Sequence, residues 1–296
     1  MRRRRLAATV LCVVVGLTVS SGCAAKPGVS AEVVVTGEPG AAPQLAYQRP
    51  LEVSEATVEV LMVGSGPRVV DGEPILVNFH AESGADGTVI NDTYASEPRP
   101  YLLSAEVLGV DLYQALSGQK VGSRILSIAP PAAGQDSATV AVFDILPTRA
   151  DGATVAPREG LPTVRLAVDG TPTITVADAA PPTELVVQPL QRGNGPQVAV
   201  GQVITVQFVG VAWSDGRVFD SSWAPGELPD TFPIGVRSVI AGWDSGLVEQ
   251  PVGSQVLLVV PPQMAYGGTE HELAAETLVF VVDILAAVGG PATEQS

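Results

Sequence analysis

The stretch QVITVQFVG at residues 202–210 alternates apolar and polar side chains, with Ile204 and Phe208 among the apolar ones. Such period-two alternation is typical of a β-strand with one buried face. The stretch TLVFVVDIL at residues 277–285 repeats the alternation, with Phe280 on its apolar side. The two stretches therefore predict strands of one antiparallel sheet that share a buried face.

A short helix is predicted between these strands. Val239, Trp243 and Leu247 are four residues apart, so they fall on one helix face, and Ser238 stands where a capping residue is expected. One helix against one antiparallel sheet gives an α+β fold. The aromatic residues of this half are expected to line one apolar hollow, here called the aromatic cup: Phe208, Trp213, Phe219, Trp243, Tyr266 and Phe280.

The residue types in the cup favour non-covalent chemistry. His80 and His271 are the only histidines in the chain, which makes a Ser/His/Asp arrangement or a multi-histidine metal site improbable. Rotation about an X-Pro bond needs no nucleophile, because its barrier of about 18–20 kcal/mol comes from amide resonance. An apolar hollow that binds the twisted amide more tightly than the planar one lowers that barrier. Asp220 is the one ionisable candidate inside the cup.

Five segments, in order along the chain, resemble the FK506-binding-protein (FKBP) family of peptidyl-prolyl cis/trans isomerases. They are VQFVG (206–210), DGRVFDSSW (215–223), SVIAGWDSGL (238–247), VVPPQMAYGG (259–268) and TLVFVVDIL (277–285). The resemblance implies a twisted antiparallel β-sheet wrapped around one short α-helix. It also implies isomerase activity on proline-containing polypeptides without a cofactor or metal, with FK506-type macrolides as a second class of ligand.

The resemblance also implies roles for individual side chains. Expected catalytic residues are Phe219, Asp220, Trp243 and Tyr266. Expected substrate-binding residues are Phe208, Val239, Ile240, His271 and Phe280. In this scheme the proline ring sits on the Trp243 indole, and the Tyr266 hydroxyl and the backbone N–H of Ile240 each donate to a substrate carbonyl.

The sequence departs from the family pattern at three places. Phe208 stands where the family usually has a tyrosine, and Asp230 stands where an aromatic residue is common. The loop at residues 271–276 is also short. Each candidate residue has a purely structural interpretation as well: Phe208 as core packing, Asp220 as a turn residue, and His271 as a solvated loop residue.

The chain contains a second, eroded copy of the same pattern. Residues 63–93 align without gaps on residues 192–222, which predicts two similar domains. The first copy keeps Phe79 in place of Phe208 but lacks the other cup residues. At those positions it has Gly84, Ile90, Asn91, Leu112 and Ala141. The first copy is therefore predicted to fold alike without isomerising proline, and to have a partner-binding or spacing role.

The N-terminus predicts export. Four arginines precede an apolar run too short for a comfortable membrane span, and small residues lead to Cys23. This pattern resembles a bacterial lipoprotein signal, so we expect lipidation of Cys23 and a lipid anchor at the outer, extracytoplasmic face of the cell membrane. An ordinary secretory signal cleaved nearby is the alternative. The net charge of −15 argues against nucleic acid as a partner.

The sequence thus predicts two FKBP-like domains between shorter segments. The expected ranges are a signal peptide at 1–22, a disordered tether at 23–54, a degenerate domain at 55–150, a linker that is a hairpin or an ordered connection at 151–180, an isomerase domain at 181–288 and a loose tail at 289–296. The alternative function is a non-catalytic peptide-binding chaperone or scaffold module.

Overall fold

The computed structural model describes residues 28–29 and 33–290. The predicted signal peptide, Cys23 and residues 291–296 of the predicted tail lie outside the described residues. In the first half of the chain the strands are β1 Gly28–Val29, β2 Val33–Thr36, β3 Gln44–Tyr47, β4 Thr57–Met62, β5 Pro74–Ser83, β6 Val89–Asp92, β7 Arg99–Leu102, β8 Arg124–Ala129 and β9 Thr139–Leu146. The helices of this half are α1 Ala105–Leu108 and α2 Val110–Leu116.

The second half contains more strand and one α-helix. Its strands are β10 Ala153–Thr154, β11 Thr163–Leu166, β12 Pro172–Thr175, β13 Val186–Arg192, β14 Gln202–Ala212, β15 Val218–Ser221, β16 Asp230–Pro233, β17 Gln255–Val260 and β18 Leu278–Gly289. The helix is α3 Ala241–Leu247, and a 3₁₀ turn covers Pro262–Met264.

Two large antiparallel sheets share one topology. The first has the order β4-β8-β9-β5-β6, with β7 beside β5. The second has the order β13-β17-β18-β14-β15, with β16 beside β14 and the short strand β10 added on β13. The sequence repeat therefore appears as a repeated sheet, and the α+β fold predicted from the sequence is confirmed.

The helical segment differs between the two halves. In the first half it is divided into α1 and α2 at Gly109, whose φ of 77° a glycine adopts without steric cost. In the second half α3 begins at Ala241 after Ile240, with no side-chain cap. The prediction that Ser238 caps this helix is wrong, because the chain remains non-helical through Ile240.

The prediction of a disordered tether at 23–54 is wrong for the described residues from 33 onward. Strands β1, β2 and β3 form a small antiparallel sheet. Val33 and Val35 are 0% and 3% exposed, and they pack on the outer face of the first large sheet. That face carries Leu126 and Val142, which are buried beneath this segment. Burial of these side chains stabilises the ordered segment. A prediction from the composition of the segment alone cannot detect this contact with a distant sheet.

A buried ion pair fastens the same segment. The Arg124 guanidinium donates from Nε and Nη2 to the Asp144 carboxylate, at 2.7 Å in both cases. Arg124 also donates to the carbonyls of Gly37 and Ala41, at 2.8 Å each, and Gly40 N–H donates to Asp144 Oδ2 at 2.8 Å. The loop between β2 and β3 is thus hydrogen-bonded to the buried charges of β8 and β9.

Residues 151–180, predicted to form a linker, cover the second large sheet in a similar way. Strands β11 and β12 pair as an antiparallel hairpin whose turn contains Gly170. Ile174, on β12, packs on the outer face of the sheet with Leu257 and Val279. Below the hairpin, the Asp283 carboxylate accepts hydrogen bonds from Ala150 N–H and from Gln255 Nε2, both at 2.8 Å. Burial raises the pKa of Asp283 to about 6.

Candidate active site

Five aromatic rings meet on the inner face of the second sheet. Trp243 on α3 lies 5.1 Å from Phe208 and 5.2 Å from Phe280, measured between ring centroids, and both pairs are edge-to-face. Phe232 on β16 lies 5.2 Å from Trp243. Phe219 joins through Phe280, at 5.6 Å and edge-to-face. Edge-to-face contacts of this kind fix the relative orientation of the rings, so the cup has a defined shape.

Strand register explains why these rings share one face. Along β14, side chains at even numbers point to the cup, since successive residues alternate between faces. Phe208 is one of them, and Gly210, directly opposite Phe280, is another. A Cβ at Gly210 would lie 2.7 Å from the Phe219 ring and 2.9 Å from the Phe280 ring. The glycine is therefore required for both rings to reach the cup.

The same alternation places Trp213 on the opposite face. Trp213 is buried with Val209 and Val211 under the hairpin, and its Nε1 donates to the carbonyl of Ala179 at 3.1 Å. The prediction that Trp213 lines the cup is wrong, because odd-numbered side chains of this strand point away from it.

Two glycines bring α3 close to the sheet. A Cβ at Gly242 would lie 2.4 Å from a methyl carbon of Val260, and one at Gly246 would lie 2.7 Å from a methyl carbon of Leu258. Because Gly242 and Gly246 let α3 approach the sheet, Trp243 on the same helix lies deep in the cup. Only glycine fits where the backbone of a helix lies this close to a side chain of the sheet.

The loop before α3 is fixed by Asp244. Its carboxylate accepts hydrogen bonds from Gly235 N–H at 2.7 Å and from Arg237 N–H at 2.6 Å. This loop carries Val239 and Ile240, which are half-buried against the cup. Asp244 therefore positions two predicted substrate-binding residues. The prediction from sequence missed it, although a carboxylate in the first turn of a helix is a recognisable signal.

The cup has a buried floor and a more accessible rim. Trp243 is 5% exposed, Phe208 is 5% exposed and Phe280 is 4% exposed. Phe219 and Tyr266 are half-buried and belong to the rim. The Trp243 Nε1–H is buried and has no hydrogen-bond partner among the described residues. A floor donor without an acceptor is an uncommon feature of a folded interior.

Tyr266 and His271 form a stacked pair on the rim. Their ring centroids are 3.9 Å apart and their planes differ by 13°. His271 Nδ1 accepts a hydrogen bond from Leu273 N–H at 3.1 Å, and the His271 ring is exposed. The structure thus places His271 beside Tyr266, where it supports the tyrosine ring. Its predicted role in substrate binding stays a prediction.

Two carboxylates flank the cup along β14. Asp220 on β15 lies opposite Gly210, and Asp230 on β16 lies opposite Val206. Directly opposite residues of antiparallel strands project from the same face, so both carboxylates are on the cup side. Burial, and then the charges of Asp220 and Glu227, raise the pKa of Asp230. Negative charge therefore accumulates at this edge of the cup.

The first half keeps the sheet but not the cup. Phe79 lies 5.7 Å from Phe143, while Leu112 takes the place of the tryptophan. Ile90, which corresponds to Phe219, is 55% exposed and so contributes no wall. Ala81 stands opposite Ala141 where the second half pairs glycine with phenylalanine. The aromatic cup is therefore a feature of the second half.

Within the described residues, no group of three or more His, Cys, Asp or Glu side chains is arranged to hold a metal ion. In the same part of the chain, no helix has the length and apolar character to cross a membrane.

An apolar cup with a tryptophan floor, a tyrosine on the rim and glycine-dependent packing defines a concave aromatic site suited to an apolar ligand. A model of the FKBP-type peptidyl-prolyl cis-trans isomerase family matches residues 195–285. The FK506-binding protein of Streptomyces anulatus is 38% identical over 119 residues, which cover 39% of this chain and 95% of that protein. The chain belongs to the family of FKBP-type peptidyl-prolyl cis-trans isomerases.

Two further proteins show similarity to this chain. The probable FK506-binding protein of Corynebacterium glutamicum is 36% identical over 118 residues, which cover 39% of this chain and 98% of that protein. The crystal structure of the three FKBP domains of wheat FKBP73 is 21% identical, with a TM-score of 0.33, and the match covers 79% of this chain and 94% of that chain.

Proposed function

We propose that the cup at residues 181–288 catalyses cis/trans isomerisation of X-Pro bonds in exported polypeptides. The proline ring enters between Phe219, Ile240 and Tyr266 and rests on the Trp243 indole. The observation that carries this proposal is the set of edge-to-face rings around Trp243, at 5.1 and 5.2 Å, with half-buried residues above them. The rings form a preorganised apolar floor.

The mechanism follows from what the cup offers the amide. A planar amide is charge-separated and well solvated in water, whereas a twisted amide has lost resonance and is less polar. A dry aromatic site that binds the twisted form more tightly therefore accelerates rotation. The Tyr266 hydroxyl donates to a substrate carbonyl, and Asp220, at the edge of the cup, biases the twisted amide. No proton is transferred and no bond is broken in this scheme.

Trp243→Leu tests the proposal, because it installs the residue that the first half has at Leu112. We expect kcat/KM for a short X-Pro peptide to fall by about tenfold or more, since the proline ring loses its aromatic floor. The measurement is the rate of cis/trans exchange of the peptide in the presence of the full chain. Trp213→Leu is the matched control, as it truncates a buried tryptophan on the opposite face and is expected to lower stability with little change in kcat/KM.

Peptide affinity without acceleration in the unmodified protein would favour the alternative, a non-catalytic peptide-binding chaperone or scaffold. Equal loss of activity in the two tryptophan variants would show that stability, not the cup, governs the rate.

We further propose that the protein is a lipoprotein held at the outer face of the cell membrane through Cys23. The charged and apolar N-terminal pattern that ends at Cys23 supports this proposal. Cys23→Ala is expected to release the protein from the membrane fraction, as judged by phase partitioning. Continued membrane association of that variant would contradict the lipid anchor. FK506-type macrolides are proposed as competing ligands of the same cup.

A further inference from the structure

The cup has an acidic rim formed by Asp220 and Asp230, and Glu227 lies close to Asp230. These three side chains are near enough to one another for the charges of Asp220 and Glu227 to act on the carboxyl group of Asp230. Within the described residues, none of the three has a cationic partner within 4 Å. Unpaired like charges in proximity repel one another, so this edge of the cup is complementary to a cation.

Strand geometry directs two of these carboxylates to the ligand side. Asp220 and Asp230 lie opposite Gly210 and Val206, which are four residues apart on the cup face of β14. At about 3.3 Å per residue, the backbone positions of the two aspartates are about 13 Å apart along β14. Phe232 follows Asp230 by two residues on the same strand and so shares its face, and it packs on Trp243 at 5.2 Å. The acidic rim and the aromatic floor are therefore parts of one surface.

An independent observation also indicates that a ligand completes this surface. Trp243 is only 5% exposed, yet its Nε1–H has no acceptor among the described residues. Buried donors of this kind are normally satisfied by protein, water or a bound molecule. A polypeptide that fills the cup brings carbonyl acceptors with it.

We propose that the isomerase selects proline sites flanked by lysine or arginine, and that Asp230 determines this preference together with Asp220 and Glu227. The inference rests on the proposed function of the cup and adds the class of substrate. A cationic side chain next to the bound proline reaches the rim while its aliphatic stem lies along the apolar wall. A glutamate at the same place meets three carboxylates of its own sign.

The size of the effect follows from distance. In water, an interaction between two unit charges about 7 Å apart, half of that backbone spacing, changes a binding constant by about threefold. With several carboxylates acting together, we expect kcat/KM for a Lys-Pro peptide to exceed that for the matched Glu-Pro peptide by about tenfold or more at low salt. The ratio is expected to approach one at about 1 M salt, where the screening length is about 3 Å.

The test measures kcat/KM of the full chain on three peptides that differ only in Lys, Ala or Glu before proline. Asp230→Asn is expected to lower the Lys-to-Glu ratio by up to about ninefold, because it removes a threefold attraction of lysine and a threefold repulsion of glutamate, and Asp230→Lys to lower it further or invert it. Asp178→Asn is the matched control, since it removes the same charge beside the hairpin on the opposite face of the sheet. The control is expected to keep the ratio of the unmodified protein.

Two results would overturn the inference alone: equal kcat/KM for the three peptides in the unmodified protein, or equal changes in the ratio for Asp178→Asn and Asp230→Asn. The latter would mean that net charge, not the rim, attracts the cation. Absence of acceleration with all three peptides would instead contradict the proposed function, and this inference with it.

Discussion

Asp283→Asn is expected to abolish a pH-dependent loss of stability in the second half of the molecule. The Asp283 carboxyl is 1% exposed, and its pKa is raised from 3.8 to about 6, first of all by burial. The nearby charge of Arg149 and the hydrogen bonds from Ala150 and Gln255 act in the opposite direction but do not cancel the effect of burial. Between pH 3.8 and about 6, the folded state therefore holds a proton on Asp283 that the unfolded state has released.

The sign of the effect follows from this difference in proton affinity. A group with a raised pKa in the folded state contributes its full stability below the unfolded value of 3.8. The contribution is lost as pH rises through about 6. A shift of about two units corresponds to about 3 kcal/mol of unfolding free energy. The unmodified second half is thus expected to lose about that much between acid and neutral pH from this one group.

Asparagine at 283 keeps the shape of the side chain but has no carboxyl group that can lose a proton. Its Oδ1 can accept from Ala150 N–H, and its Nδ2 can donate to Gln255 once the Gln255 amide is rotated to present its oxygen. The side chain at 283 then keeps one hydrogen bond to Ala150 and one to Gln255. We therefore expect the variant to gain stability relative to the unmodified protein as pH rises, by up to about 3 kcal/mol at pH above about 6.

Tryptophan fluorescence during urea unfolding measures this effect selectively. All three tryptophans, at 213, 223 and 243, lie in the second half of the chain, so their signal reports the unfolding of that half. Unfolding free energies of the variant and the unmodified protein are compared across pH, with the exposed Asp178→Asn as control. A difference between variant and unmodified protein that does not change with pH would refute the reasoning.

Two further substitutions test the packing of the cup and the order of the N-terminal segment. Gly210→Ala places a Cβ within 3 Å of two cup rings, and we expect a loss of about 1–3 kcal/mol in stability and a fall of about tenfold in kcat/KM, measured by unfolding and by peptide exchange. An alanine variant with unchanged kcat/KM would show that these rings do not shape the site. Asp144→Ala leaves the Arg124 charge buried and unpaired, and we expect a loss of about 3–5 kcal/mol together with faster limited proteolysis at residues 37–41. Unchanged cleavage there would mean that the ion pair does not hold the loop.

The fold was largely predictable because its periodicities are strong. The alternation in β14 and β18 and the four-residue spacing around Trp243 gave the sheet, the helix and their common face. The same parity rule, applied strictly, would have excluded Trp213 from the cup, since it follows Val209 and Val211 at odd positions. Phe232 was missed because β16 is only four residues long, too short for a clear alternation.

Other features depend on contacts that no local pattern encodes. The segment containing Val33 and Val35 is ordered because a distant apolar face, around Leu126, would otherwise be exposed to water. The stacking of His271 on Tyr266 depends on a loop conformation held by hydrogen bonds within the loop itself. Sequence spacing gives the candidate residues, but the direction of a loop side chain is set by such tertiary contacts.

The buried aspartates show that each repeated unit begins earlier than the sequence motifs do. Asp144 accepts from the N–H of Gly40, and Asp283 accepts from the N–H of Ala150, so the last strand of each sheet holds the chain that precedes it. In both halves this preceding chain contains a hairpin that covers the outer face of the sheet. The side chain that donates to the aspartate differs between the halves. In the first half the charged Arg124 donates to Asp144, and in the second half the neutral Gln255 donates to Asp283. The catalytic half therefore carries its uncompensated buried acid beneath the hairpin, on the side of the sheet away from the cup.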